Sequence, residues 1–338
     1  MQWHRSRTLV TGGASFIGSH LVDALVERGA RVRVVDDVSS GTVDNIRRHI
    51  EAGRVEFTQA DLMGPGVAAD AVRDIDVVFH LAANHGGRGY IDSHQVACAG
   101  NLALDGLVFR ACIAARVGKI VYASSGCVYP TSLQSDPTSH VCLREDMVGP
   151  PYQADDLYGW AKLMGEMTLR AAHAESGARS ACCRYFTVYG ERCHENHAIM
   201  AMIARAFVLQ DPLPVWGDGE QIRTWIHVSD IVAGTLLAAE TIDDGTAVNL
   251  GTTQRTRVID AARAVLEYTG HRATIALQPD MPTGPLNRVP DISRARTVLG
   301  WTPTVDFTSG LHRTIDWYYS SHDREQVRSV LATRLLSR

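Results

Sequence analysis

The 338-residue chain has seven cysteines but no pair at CxxC spacing. An odd set of scattered thiols excludes a disulfide framework or a zinc ribbon as the organising feature, so no metal site is expected. A reducing compartment, the cytoplasm, is the expectation. No apolar run approaches the roughly 18 residues of a membrane helix. MQWHRSR passes straight into TLVTGG, which leaves no room for the apolar stretch of a signal peptide. Neither sign of charge is in excess: 33 Lys and Arg stand against 37 Asp and Glu, a net charge of −4. That balance gives no reason to expect nucleic acid or a membrane surface as partner. Internal repeats and low-complexity tracts are missing too. What is left is 45% apolar and 21% charged, an ordinary globular composition. The length exceeds one compact core, so a large domain with an appended lobe is expected.

What is present is a regular alternation. Strand-like runs at Thr8–Thr11, Val32–Val35, Val55–Ala60, Val77–Leu81 and Ile120–Ser124 are separated by amphipathic stretches such as Ile17–Arg28 and Asn101–Arg116. A helix is predicted at Tyr158–Ala174 and a strand at Ser180–Phe186. Such alternation implies right-handed crossovers and a doubly wound parallel α/β sheet. Later segments rich in Pro, Gly and Asp suggest a smaller lobe, partly discontinuous, because AVNLG at 247–251 reads as a return to the sheet. The expected division is a dinucleotide-binding domain at 1–186 plus about 226–256, a substrate lobe at 187–225 and 257–320, and a charged tail at 321–338 whose role the sequence does not reveal.

TLVTGGASFIGSHL opens the first strand–turn–helix. Gly12 permits the tight turn, Ser15 stands where a second glycine is usual, and Gly18 lets the helix approach the strand. Phe16 and Ile17 begin a helix whose free N–H groups and positive dipole end suit a pyrophosphate. Asp36 ends the second strand about 20 residues on, where a carboxylate accepts from ribose hydroxyls and repels a 2′-phosphate. NAD is therefore expected rather than NADP. Asp61 and Leu62 after the third strand, and Ala82 and Ala83 after the fourth, are expected beside adenine and pyrophosphate. In HGGRGYI (85–91) Gly86 and Gly87 allow close approach to a sugar ring, and Arg88 is a candidate for hydroxyls or phosphate.

LYGWAK places Tyr158 and Lys162 one helical turn apart. Tyrosine has an ordinary pKa of about 10, and a neighbouring ammonium stabilises its phenolate. With the hydroxyl of Ser125, the three can take a proton from a sugar alcohol while a hydride leaves to nicotinamide.

TGGASFIG, Asp36, SSGCVYP, YGWAK and WGDGEQIRTWIHVSD together resemble the extended short-chain dehydrogenase/reductase family of nucleotide-sugar epimerases and dehydratases, over residues 7–320. AANHGGRGYI, SSGCVYP and LGWTP are most similar to the GDP-mannose 3,5-epimerases. That resemblance implies transient oxidation at carbon 4 and proton exchange at carbons 3 and 5 by Cys127 and an opposite base. GDP-mannose 3,5-epimerases carry a lysine at the second place; His197 stands there in this chain, as a histidine does in GDP-fucose synthase. Asn196 is expected to cap the helix that follows, and His194 is the competing histidine. The resemblance further implies that Arg205, Arg223 and Arg288 hold the nucleotide diphosphate, that the substrate is a GDP-sugar, and that the enzyme is a homodimer. Gly126-Cys127 replaces the acidic pair of sugar dehydratases, so dehydration is not expected. The alternative is a UDP-sugar 4-epimerase of the UDP-glucose or UDP-glucuronate type, in which Cys127 and His197 only pack. An epimerase-reductase conflicts with Asp36, and an inactive dinucleotide-binding regulator conflicts with the intact Ser125, Tyr158 and Lys162.

Overall fold

The computed structural model describes residues 1–335. Seven parallel strands form one sheet: β1 (Arg7–Thr11), β2 (Arg31–Asp36), β3 (Val55–Gln59), β4 (Val77–His80), β5 (Lys119–Ser125), β6 (Ser180–Tyr185) and β7 (Asp244–Leu250). Their order is β7-β6-β5-β4-β1-β2-β3. The chain runs outward from β1 to β3, then returns to β4 on the other side of β1. The carboxyl ends of β1 and β4 therefore border a crevice at the point where the winding reverses, where open α/β sheets bind ligands. The central strands are covered on both faces, and Leu9, Val10, Val78 and Phe79 have no exposed surface, whereas the edge strand β3 is largely exposed.

Helix α1 (Phe16–Glu27) crosses close to the first turn. A Cβ on Gly18 would lie 2.0 Å from the Gly12 carbonyl oxygen, so only glycine fits. Helices α2 (Asn101–Ala114) and α3 (Asp156–Ser176) pack on each other, and α3 lies along β5. Beyond β6 the chain builds a second layer from α4 (Ala198–Phe207) and a short ladder of Leu213–Trp216 with Ile275–Gln278. Between the two strands of that ladder it returns to the sheet, where β7 pairs with β6 from Ala247↔Cys182 to Leu250↔Tyr185.

Two expectations need correction. Gln95–Ala114 is, by length and composition, apolar enough to cross a membrane, a test that the core helix of a globular protein also passes. Asn101, Asp105 and Arg110 interrupt its apolar run; Asn101 and Asp105 are buried against neighbouring elements, and Arg110 is exposed. The charged tail is also a structural element as far as residue 335. Arg324–Arg334 forms α5, which buries Val327 and Leu331, while residues 336–338 lie outside the described residues.

Candidate active site

The β1–α1 turn is held from within. Gly12 takes φ +69°, and the Ser15 hydroxyl donates to the Gly12 carbonyl at 2.6 Å. Asp36 accepts from the backbone N–H of Ala14 at 2.9 Å and of Val38 at 2.8 Å, which fixes its carboxylate at the end of β2. Gly12, Ser15, Asp36, Asp61, Leu62, Ala82 and Ala83 line one cavity of about 190 Å³. It shares Ser15, Ala83 and His85 with a second, of about 210 Å³, that is lined by Phe16, Ile17, Gly18, Ser125, Cys127, Tyr158, Lys162, His194 and His197. Cys127, His197 and Arg288 in turn border a third, of about 250 Å³, with Gly86, Gly87, Arg88, Arg205 and Arg223. The site residues expected from the sequence thus line one cleft of three linked chambers.

The middle chamber carries the reactive groups. β5 ends at Ser125, whose Oγ accepts the Cys127 N–H at 3.1 Å and hydrogen-bonds to Tyr158. The first turn of α3 presses on this corner so closely that a Cβ on Gly159 would lie 2.2 Å from the Cys127 carbonyl oxygen. Burial pushes the Tyr158 phenol well above its ordinary range; Cys127 adds to the shift and the Ser125 hydrogen bond opposes it. Burial lowers Lys162, and Asp105 and Cys127 oppose that shift. Tyr158 is therefore a phenol in the resting site, and its conversion to a base needs further positive charge beside it.

Cys127 is 7% exposed. Arg288 donates to its Sγ at 3.2 Å, to Asp155 at 2.6 Å and to Gln134 at 2.7 Å. His197 is itself the N-cap residue of α4, one position later than the Asn196 cap expected from the sequence. Its backbone leaves the helix at φ −87° and ψ 139°, and the ring faces the chamber. Burial, then the like charge of His194, lowers its pKa to about 4, so the imidazole is neutral near pH 7. Gly87 has a more immediate task than admitting a sugar. Its Cβ would lie 1.8 Å from the Asn196 carbonyl oxygen, so it seats the His197 loop against the loop after β4.

The arginines divide into two kinds. Arg88 is committed to carboxylates: Asp155 at 3.0 Å, Asp156 at 2.6 Å and Asp92 at 2.6 Å. It braces the two loops rather than offering a free fork, which differs from the role expected of it. Arg223 donates only to the carbonyls of Ile222 and Thr283, and burial with the nearby Arg288 and Arg88 lowers it to about 9. Arg205 is 7% exposed, its Nε has no hydrogen-bond partner among the described residues, and burial lowers it to about 10. Sequence reasoning missed three participants. His85 lies 6.5 Å from the Tyr158 ring and 6.3 Å from the His197 ring, between centroids. Asp155 and Gln134 anchor Arg288. Their signals were position alone: His85 adjoins the glycine pair, and Asp155 precedes LYGWAK.

The fold and cleft bring a Ser–Tyr–Lys set into the chamber beside the β1–α1 turn, with a cationic chamber beyond it, the arrangement of a dinucleotide-binding α/β protein. Residues 8–251 match the model of the NAD dependent epimerase/dehydratase family, and the chain belongs to that family. Among its relatives is UDP-glucuronic acid decarboxylase 1 of Xenopus tropicalis, 31% identical over 328 residues, covering 93% of this chain and 72% of that protein. UDP-glucose 4-epimerase of Thermotoga maritima, solved with UDP-glucose, is 28% identical with a TM-score of 0.84, covering 93% of this chain and 99% of that one. UDP-glucuronic acid 4-epimerase from Bacillus cereus, solved with UDP-glucuronic acid and NAD, is 29% identical with a TM-score of 0.82 and coverages of 92% and 98%. NAD is the cofactor, as the carboxylate at Asp36 led one to expect. These relatives carry uridine nucleotides, and the expected GDP-sugar preference draws no support from them.

Proposed function

We propose that the protein is an NAD-dependent epimerase of a UDP-sugar, acting through a transient ketone at carbon 4, of the UDP-glucose or UDP-glucuronate type. The observation that carries this is the convergence of Ser125, Tyr158 and Lys162 in the middle chamber, with Gly126-Cys127 in place of any carboxylate in the turn after β5. The GDP-mannose 3,5-epimerase expectation is accordingly set below the UDP-sugar reading.

NAD, when bound, supplies a hydride acceptor and the positive charge of its ring. Gly12, the N-terminus of α1 and Asp36 would hold its pyrophosphate and ribose. Lys162 and Ser125 orient Tyr158, whose phenolic oxygen takes the carbon-4 hydroxyl proton and returns it when the sugar is reduced on its other face. Arg205 and Arg223 are the donors for the diphosphate, because among the described residues neither cation forms an ion pair with a carboxylate. The sheet residues 1–186 with about 226–256 would form the NAD-binding unit, and 187–225 with 257–320 the sugar-nucleotide unit. The apolar face of α2 and α3, where Leu102, Leu107, Leu157, Trp160 and Met164 are 38–48% exposed, suits a second copy of the chain, and free thiols suit a reducing cytoplasm.

One observation favours a second reading. Cys127 and the neutral His197 line the same chamber as Tyr158, and Arg288 is placed to balance charge developing on the cysteine sulfur. Once carbon 4 is a ketone, its neighbours become acidic, and this pair could exchange protons at carbons 3 and 5. Turnover of UDP-glucose, UDP-glucuronate and GDP-mannose in heavy water decides between the readings. Epimerisation of a UDP-sugar with no deuterium at carbons 3 or 5 is expected. Deuterium at those carbons, lost in Cys127→Ser and His197→Asn, would replace the 4-epimerase reading with the second one. Release of carbon dioxide from UDP-glucuronate would replace both with a decarboxylase.

A further inference from the structure

Behind the reactive face, a row of polar groups crosses the seam between the sheet and α2. Thr11 Oγ1 meets His80 Nδ1 at 2.7 Å, and His80 Nε2 meets Asp105 Oδ1 at 3.0 Å. Tyr122 donates its hydroxyl to Asp105 Oδ2 at 2.5 Å, and Lys162 Nζ stands 4.7 Å from the centre of the Tyr122 ring. Asp105 is 2% exposed, Lys162 2%, and Thr11, His80 and Tyr122 have no exposed surface. Leu104, Val108, Phe109 and Ile120 surround the row. A carboxylate in such a seam costs several kcal/mol unless hydrogen bonds and an opposite charge compensate it.

The hydrogen bonds are supplied by His80 and Tyr122. Lys162 makes no direct ion pair with Asp105; the two are brought together through Tyr122, over whose ring the ammonium lies and whose hydroxyl donates to the carboxylate. Burial works to raise the Asp105 carboxyl, yet the Lys162 ammonium, His80 and the Tyr122 hydroxyl together hold it below the usual carboxylate range. From the lysine's side, Nζ lies over the ring of Tyr122 on β5 and near that of Tyr158 on its own helix, and Asp105 on α2 and Cys127 on the turn after β5 act on its charge. Glu166, one turn further along α3, is already held by Arg184 at 2.8 Å and by Ser124 at 2.5 Å. The row also reaches the cofactor end, because Thr11 Oγ1 accepts the N–H of Leu81 at 3.1 Å and of Ala82 at 3.2 Å.

We propose that Asp105 is a positioning residue for the hydride-transfer site: held by His80 and Tyr122, its carboxylate is the counter-charge that keeps the Lys162 ammonium beside Tyr158. This rests on the assignment of Lys162 as the active-site lysine. Lys162 carries the charge that activates the phenol, and α2 supplies, from behind the sheet, the charge that lets Lys162 remain protonated in a dry site. Asp105 touches neither sugar nor cofactor.

A double-mutant cycle tests the pair without any turnover. Asp105→Asn, Lys162→Met and the double variant are unfolded in urea at neutral pH with saturating NAD. The shift in midpoint caused by Asp105→Asn should shrink by half or more in the Lys162→Met background, because the double variant buries no unbalanced charge. Equal shifts in both backgrounds overturn the proposal and leave Asp105 as a hydrogen-bond partner of His80 and Tyr122 alone. If Asp105→Asn does not fold, Asp105→Ser carries the same cycle. If the wild type epimerises no nucleotide sugar, the functional reading fails while the cycle still reports on the pair. In active protein, Asp105→Asn should move the alkaline limb of kcat to lower pH by about one unit, the order expected for losing one nearby opposite charge. An unmoved limb overturns the claim that this charge reaches the reaction.

Discussion

The two ends of the cleft solve opposite problems. At the cofactor end, polar groups already have partners: Asp36 accepts two backbone N–H groups, Ser15 is tied to Gly12, and Asp105 sits between His80 and Tyr122. At the far end, Arg205 is buried and Arg223 half-buried, and among the described residues neither forms an ion pair with a carboxylate, Asp155 acting on Arg223 only from a distance. A completed network contributes rigidity and holds hydride donor and acceptor in register. An unbalanced cation makes the folded protein less stable than it could be, and that cost is relieved only when an anion arrives. The cofactor end is built to stay as it is, and the substrate end is built to be completed by its ligand. Substitutions at the two ends should therefore have different signatures, and the sharpest comparison is between chemistry, affinity and stability.

The largest expected effect lies at the boundary between the ends. Tyr158→Phe removes the group that takes the carbon-4 hydroxyl proton, so turnover should fall by roughly 10²-fold or more. NAD content after purification should not change, because the turn that holds the dinucleotide is untouched. Turnover near the wild-type rate would remove Tyr158 from the mechanism.

Arg223→Leu should weaken binding of the nucleotide sugar by roughly 10- to 100-fold, the range for losing a charge-assisted hydrogen bond of about 1.5–3 kcal/mol. Stability without substrate should hold or rise, since a half-buried cation that forms no ion pair among the described residues is removed. Titration by calorimetry and thermal melting read the two quantities separately. A lower melting temperature with unchanged affinity would reverse the assignment and make Arg223 a structural brace, like Arg88.

Asp36→Ala is the mirror experiment at the other end. The backbone N–H groups of Ala14 and Val38 lose their acceptor, so the variant should lose both NAD affinity and about 1–3 kcal/mol of stability. If Asp36→Ala weakened NAD while leaving stability intact, the contrast between a completed and an incomplete end would not hold.

The contrast also explains what the sequence could and could not reveal. The sheet was legible because short runs rich in β-branched residues, such as RVRVVD and VVFH, alternate with helical stretches. The dinucleotide turn was legible because Gly12 and Gly18 answer to local geometry. Pairing of charges was not legible. Arg88 and Arg223 read alike in the sequence, yet Asp155, 67 residues from Arg88 in the chain, forms an ion pair with the first and acts on the second only from a distance. Asp105 reads as a polar interruption of an apolar helix until Tyr122 and His80 are brought to it from two strands. In α5 the frequent charges hide Val327 and Leu331, and Arg334 reaches the buried Glu195 at 2.8 Å, two residues before His197. Each of these depends on contacts distant in sequence, which periodicity and spacing do not encode.

The smallest effect concerns the middle chamber, where the two ends meet. His197 has a folded pKa of about 4, below its ordinary value of about 6.5, chiefly because it is buried. Between those values the unfolded chain holds a proton that the folded chain does not. Stability therefore rises with pH through that window and falls as the solution is acidified. The full gap would correspond to ~3 kcal/mol, and the ring's exposure to water in the chamber reduces this to ~1–2 kcal/mol. His197→Asn has no proton to gain, so acidification across the window should cost it less stability than it costs the wild type. Urea unfolding at both ends of the window gives the difference directly, and the other titrating groups cancel between the two proteins. If the two lose stability equally, the imidazole is solvated and charged like an exposed histidine. It would then belong to neither end of the cleft, and its use as a neutral base, on which the 3,5-epimerase reading depends, would fall with it.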